Sequence, residues 1–307
     1  HEEAEKNPKL DDVARDWSKK IEQQDLEAQE IYQNFKKITL DNIGIIYKRL
    51  DIAFDSYLGE SFFIDKVEPV VKTLEQKNLL TESEGAKVVM LEEYDMPPCL
   101  ILRSDGESLY ATRDIATAIY RKQTYDFYKC LYVVAYQQNL HFKQFFKVLE
   151  LMDYDWAQDL IHVAYGMVSM EDGSMSTRSG KLIKLSEVLD KAVEKTKSII
   201  IEKNPDSDNI DETAEAVGVG AVIFSSLCNS KIKDIVFSWD RVLNFDGETG
   251  PYLQYTHARC CSVLKKADVD YHTYTLPQEL NNAHADYSTF LDDNSLILIK
   301  KIDSFLD

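Results

Sequence analysis

The chain has 307 residues, of which 44% are hydrophobic, enough for a sizeable core and for two domains or one domain with insertions. Its formal net charge of −18 by itself argues against a nucleic-acid binder, because neutralising phosphates takes Lys and Arg. There is no apolar run of the roughly 20 residues that a membrane span needs, and five cysteines without a Cys-x-x-Cys pair point to reduced thiols in a cytoplasmic protein rather than a disulfide framework or zinc knuckle.

The N-terminal "HEEAEKNPKL" is acidic and polar, unlike a signal peptide, and lacks an initiator Met, so the chain reads as a piece of a longer protein. Residues 1–37 read as helical, with Val13, Trp17, Ile21, Ile31 and Phe35 mostly at helical spacings. "TLDNIGIIYKRLDI" predicts a second helix with Thr39 as its N-cap. "FDSYLGESFF" breaks the periodicity, and "IDKVEPVVKTLEQKNL" is helical again, with Pro69 near its start.

The pattern then changes. "AKVVMLEEY" and "PPCLILRSDGESLYAT" are strand-like, with a turn at Ser104, Asp105 and Gly106. "RDIATAIYRKQTY" is an amphipathic helix. "KCLYVVAY" is an apolar run, as expected of a parallel strand buried on both faces. "HFKQFFKVLELM" predicts a helix and "LIHVAYGMVSM" another buried strand. This alternation implies an α/β fold with βαβ units and a parallel sheet, whose ligands bind beyond the carboxyl ends of the strands. From about residue 186 the chain reads as helical, through "LSEVLDKAVEKTKSIIIEK" and "DETAEAVGVGAVIFSSL". A break at "DRVLNFDGETG" follows, and Gly250 and Pro251 open the helix "PYLQYTHARCCSVLKKA". Cys260 and Cys261 within it suggest core packing, and the tail after Asp268 is polar, then weakly amphipathic.

Three stretches carry polar groups suited to chemistry. Tyr110 and Asp114 are four residues apart at a helix start and share one face, where a ring and a carboxylate suit a guanidinium or ammonium ligand. The plain alternative is a surface Asp favoured by the helix dipole, with Tyr110 in the core. The end of "LYVVAY" carries Gln137, Gln138, Asn139 and His141; the amides suit a ligand at the sheet edge, and His141 suits a core or capping role equally. The loop Ser174 to Lys181 offers hydroxyls, backbone amides and cations able to stabilise a leaving polyphosphate, or is simply a polar loop between strands.

The order "LYATRDIATAIYR", "YVVAYQQNLHFKQFFKVLELM", "HVAYGMVSMEDGSMSTRSG" resembles the second half of the catalytic domain of arginyl-tRNA synthetases, class I enzymes. The resemblance continues through "AEAVGVGAVIFSSL" and "RVLNFDGETGPYLQYTHAR" and extends upstream to "FDSYLGESFF". It implies the second half of a Rossmann-type catalytic domain at 81–190, a helical insertion before it at 1–80, and a helical stem with the start of an anticodon-binding domain at 191–307.

"SMSTRSG" stands where this class carries its KMSKS loop, with Ser174 in place of the first Lys. The resemblance therefore implies catalytic roles for Ser176, Thr177, Arg178 and Lys181. It implies that Tyr110, Asp114 and Gln138 hold the substrate arginine, and that His141, Gly166, Met167, Val168 and Met175 lie against ATP, with Arg113 supporting the site from within. The implied reactants are ATP, Mg²⁺ carried with ATP, L-arginine and tRNA(Arg), with no metal held by the protein itself, no membrane and no DNA. The class signature His-x-Gly-His is absent among the histidines His1, His141, His162, His257, His272 and His284. The expectation is a central fragment, inactive alone, of an enzyme that ligates arginine to its tRNA. A synthetase-derived binding module without ligase activity, or a class I ligase for another amino acid, are the alternatives.

Overall fold

The computed structural model describes residues 6–7, 9–23, 25–170, 184–203, 205, 208–244, 247–270 and 292–304. Two compact units are present, His1–Tyr252 and Leu253–Asp307.

The first unit opens with α1 (Lys9–Glu22) and α2 (Leu26–Arg49). α1 carries Asp11 and Asp12 in its first turn and Lys19 and Lys20 in its last, both favourable to the helix dipole. Asp25 ends the expected single helix of residues 1–37: its carboxylate accepts from the Ala28 amide at 3.1 Å and starts a new helix there. That helix then runs without interruption through Thr39, so Thr39 is not an N-cap. Its hydroxyl donates instead to the Phe35 carbonyl at 2.8 Å, the back-bond open to a mid-helix threonine.

A tight 3₁₀ turn over Glu60–Lys66 leads into α3 (Val67–Gln76), with Pro69 inside its first turn, where no donor is needed. Three short strands follow, β1 (Leu80–Ser83), β2 (Ala86–Val89) and β3 (Cys99–Leu102), in one antiparallel sheet of order β1-β2-β3. The β1–β2 hairpin turns on Glu84 (φ 52°) and Gly85 (φ 80°); left-handed backbone at both positions matches the twist of the strands. This sheet is antiparallel, and the parallel pairing expected from the alternation of strands and helices is found further along the chain.

α4 (Tyr110–Tyr125), β4 (Cys130–Ala135), α5 (Asn139–Leu151) and β5 (Leu160–Tyr165) form the expected βαβ crossover. β4 and β5 are parallel over six positions, from Cys130 opposite Leu160 to Ala135 opposite Tyr165. β4 is buried on one face only in this chain: Tyr132 is 8% exposed, whereas Leu131 and Val133 are 59% and 65% exposed. A core built from α3, β2, β3, α4, α5 and β5 lies beneath, with Leu74, Leu91, Ile101, Ile115, Phe145 and Leu149 fully buried. Each such side chain contributes about 1.5–3 kcal/mol of hydrophobic burial.

β6 (Val168–Met170) pairs in parallel with β7 (Ile235–Phe237), a strand inside the segment that the sequence pattern assigns to helix. Between them in the chain, α6 (Leu185–Lys203) and α7 (Ile210–Leu227) pack closely. Gly218 sets their approach: a Cβ there would lie 2.9 Å from the Val193 backbone. Arg49, from the end of α2, donates to Glu215 on α7 at 2.8 Å and to Asp190 on α6 at 2.6 Å. The Glu215 hydrogen bond raises the Arg49 guanidinium above its ordinary range, so this cation stays charged while it ties the three helices together.

A single short turn, α8 (Trp239–Val242), precedes α9 (Gly250–Lys266), which opens at Gly250 and Pro251 as expected. Cys260 is exposed and Cys261 only half-buried, so the pair does not serve core packing. The second unit ends in α10 (Asp293–Asp303), capped by the Asp292 carboxylate, which accepts from the Ser295 amide at 2.7 Å.

Candidate active site

The carboxyl ends of β4 and β5 lie side by side, because Ala135 and Tyr165 are register partners. From the first, a 3₁₀ turn over Tyr136–Gln138 leads directly into α5, so Gln138 and His141 emerge at that edge. From the second, Gly166 and Met167 lead into β6. α4 joins this edge from β3: the fully buried Thr112 donates its hydroxyl to the Ile101 carbonyl at 2.6 Å, which fixes the start of the helix.

Asp114 lies one turn into α4, and the first turn contains no acidic residue. A dipole effect fades within that first turn, so it does not account for Asp114. Tyr110 is 67% exposed, which excludes a core role. Asp114 instead meets His141: Nε2 of the imidazole lies 2.7 Å from Oδ2 of the carboxylate. The two are 27 residues apart in sequence and come from different helices. The His141 ring packs against Phe142 and Phe145, with centroids at 5.5 and 5.4 Å. Phe142 is in turn stacked on His162 at 4.2 Å, and Nε2 of His162 lies 2.9 Å from the Val134 carbonyl, which fixes that ring to β4. His141 is thus set on the Asp114 side of the edge.

Arg113 lies behind this pair. It reaches the Ser108 hydroxyl at 3.4 Å and Glu60 at 3.6 Å, which joins the start of α4 to the 3₁₀ turn over Glu60–Lys66. Gln138 is exposed at the end of its turn.

Gly166, Met167 and Val168 are held by a segment that sequence reading missed. The Gly166 amide donates to the Lys231 carbonyl at 2.7 Å, the Met167 amide to Asp234 Oδ1 at 2.7 Å, and the Ile235 amide to the Met167 carbonyl at 2.8 Å. Only glycine fits at 166, since a Cβ would lie 2.3 Å from the Lys233 carbonyl oxygen. These backbone groups are therefore occupied by the protein. The side chains of Met167 and Val168, 49% and 42% exposed, are the free apolar surface of the segment. The available signal was the short β-branched run "DIVF" after Lys233, long enough for three strand residues and too short for periodicity.

Met175, Ser176, Thr177, Arg178 and Lys181 lie outside the described residues. A cavity of about 1080 Å³ lies on the far half of α5, lined by residues such as Lys143, Lys147 and Glu150, and it does not include Asp114 or Gln138. Among the described residues no group of three or more His, Cys, Asp or Glu is arranged to hold a metal ion.

Residues 1–239 match the family described as tRNA synthetases class I (R), catalytic domain. The chain belongs to this family. It is 55% identical over 305 residues to the arginine–tRNA ligase of Clostridioides difficile (strain 630), covering 99% of the chain and 52% of that relative. It is 53% identical over 307 residues to the arginine–tRNA ligase of Halothermothrix orenii, again covering 52% of the relative. The chain therefore spans about half the length of these curated relatives. Among solved structures, the arginyl-tRNA synthetase of Thermus thermophilus is similar with a TM-score of 0.74 and 25% identity, covering 89% of this chain and 51% of that one. That of Plasmodium falciparum shares the fold, with a TM-score of 0.73 and 24% identity, covering 86% of this chain and 45% of that one. The class I catalytic fold expected from the sequence is thereby established, and ATP is the nucleotide this class uses. Among the described residues no helix is long and apolar enough to cross a membrane.

Proposed function

We propose that the full-length gene product ligates L-arginine to tRNA(Arg) in the cytoplasm, with this chain supplying the arginine pocket and the second half of the nucleotide site. In the first step a carboxylate oxygen of arginine attacks the α-phosphate of ATP. The new O–P bond gives arginyl-adenylate, and the bond to the β-phosphate bridge breaks to release pyrophosphate. In the second step a terminal ribose hydroxyl of the tRNA attacks the acyl carbon, loses its proton and displaces AMP. Catalysis rests on positioning and electrostatics without a covalent enzyme intermediate.

The observation that carries this reading is the Asp114 carboxylate beside an exposed tyrosine on one helix face, at the carboxyl edge of β4. The carboxylate pairs with the guanidinium fork, Tyr110 offers its ring face, and Gln138 completes the pocket. The exposed side chains of Met167 and Val168 take the adenine face. The loop residues Ser176, Thr177, Arg178 and Lys181, with Met175, act on the phosphates. Mg²⁺, a hard ion that keeps much of its water, enters on the phosphates of ATP. Residues 1–80 form a helical insertion, and those from 191 onward a stem leading to the anticodon-binding part, where the tRNA is met. No DNA partner is proposed. Intact Tyr110, Asp114 and Gln138 disfavour a binding module without ligase activity.

The test is amino-acid-dependent ATP–pyrophosphate exchange by the full-length gene product, with arginine, lysine and citrulline compared. Lysine should be rejected by about 10⁴-fold in kcat/KM, because an ammonium leaves acceptors shaped for a flat fork unpaired. Comparable exchange with lysine or citrulline would defeat the reading.

A further inference from the structure

We infer that His141 is a positioning residue for arginine selection: its imidazole holds the Asp114 carboxylate in the orientation that receives the guanidinium, an inference that rests on the arginine reading of this pocket. The resemblance assigns His141 to the nucleotide, whereas its partner in the structure is Asp114, at 2.7 Å.

The chemistry of the pair fixes the direction of the bond. An ionised carboxylate only accepts, so Nε2 of His141 carries the hydrogen and donates it to Oδ2. A carboxylate offers about four lone-pair sites on two oxygens, and one imidazole takes one of them. Room remains for a guanidinium to bind both oxygens, now with the carboxylate plane set. No other hydrogen bond holds the Asp114 side chain among the described residues. The carboxylate is 39% exposed and would otherwise rotate freely on a short side chain, which costs entropy when it must match a planar fork.

His141 itself cannot easily turn away. Its side chain is 23% exposed, and the ring packs against Phe142 and Phe145, both buried and in contact with each other. α5 carries it from the end of β4, and α4 carries Asp114 from β3, so the bond also sets the spacing of the two helices that frame the pocket. His141 touches the carboxylate and need not touch the arginine.

The experiment uses the full-length gene product and four variants: His141→Leu, His141→Gln, Asp114→Asn, and the double variant of His141→Leu with Asp114→Asn. Leucine keeps apolar packing against the two Phe rings without a donor, and glutamine keeps a donor. Arginine-dependent pyrophosphate exchange is measured with arginine varied, then with ATP varied, beside a thermal melt. His141→Leu should raise KM for arginine by about 10- to 100-fold, the scale of a lost hydrogen bond to a charged group, with KM for ATP unchanged. His141→Gln should recover most of that loss. The double variant should bind arginine no worse than Asp114→Asn alone, because the carboxylate that His141 orients is already absent.

If Asp114→Asn leaves arginine kinetics intact, the arginine pocket itself is misassigned and the inference falls with it. If Asp114→Asn abolishes arginine use while His141→Leu leaves KM for arginine unchanged, the pocket stands and the inference alone is overturned. It is overturned equally if His141→Leu raises KM for ATP as much as for arginine, or lowers the melt and every kinetic constant together, since that is a structural role.

Discussion

The Met167 amide donates to the Asp234 carboxylate at 2.7 Å, across 67 residues of sequence. This bond attaches the segment expected beside adenine to the start of β7, where the Ile235 amide returns a bond to the Met167 carbonyl. The edge proposed to meet the nucleotide is thus shaped from behind by a strand that lies after the two long helices α6 and α7 in the chain.

Asp234→Ala should loosen that edge. The Met167 amide loses its acceptor, and a charge-assisted bond of about 1.5–3 kcal/mol is removed, less whatever water restores at this exposed site. The expected result in the full-length gene product is a KM for ATP raised more than that for arginine, with Asp234→Asn intermediate. Equal changes in both constants would count against the arrangement.

Gly218→Ala tests how α6 and α7 approach one another. Alanine is the better helix former by about 1 kcal/mol, so in isolation the change favours α7. The new Cβ would lie 2.9 Å from the Val193 backbone, which cannot rotate aside as a side chain would. Overpacking of this kind costs about 1–3 kcal/mol, so the melting temperature should fall. A rise would mean that the helices separate without penalty.

Cys99 should be the silent thiol. It is 1% exposed, and burial pushes its pKa from 9.0 up to about 12. Iodoacetamide at pH 8 should label the exposed Cys228 and Cys260 and leave Cys99 intact until denaturant is added, as read by peptide mass spectrometry. The folded-state pKa is raised, so the stability from the neutral thiol is complete below pH 9.0 and is lost as pH rises toward about 12. Cys99→Ala should flatten that part of the alkaline unfolding curve.

Arg178→Ala concerns the loop that resembles the KMSKS signature. A loop cation that meets pyrophosphate only as it departs binds the transition state better than the ground state. The variant should lower the rate of adenylate formation by the equivalent of about 2–4 kcal/mol, as for one oxyanion-hole donor. Single-turnover kinetics with saturating ATP and arginine gives this directly, and an unchanged rate would remove Arg178 from the chemistry.

What the sequence determined by itself was local or linear. Helical spacing in α4, α5, α6 and α7 was legible because each is long enough for several turns of periodicity, and Gly250 with Pro251 marked the start of α9. The order of motifs along the chain carried the family. Tertiary structure decided the rest. Thr39 has the chemistry of a cap and of a mid-helix residue alike, and only the continuity of α2 from the Asp25 cap made it the latter. β7 has three residues, too few for a period, and exists because β6 supplies its backbone partners. β4 reads as apolar throughout, yet Leu131 and Val133 are exposed, because burial depends on what packs against a face and not on the run itself. Asp114 and His141 were each visible as polar residues near element ends. Their pairing was not, because a bond between helices 27 residues apart is set by the crossover that brings α5 back beside α4.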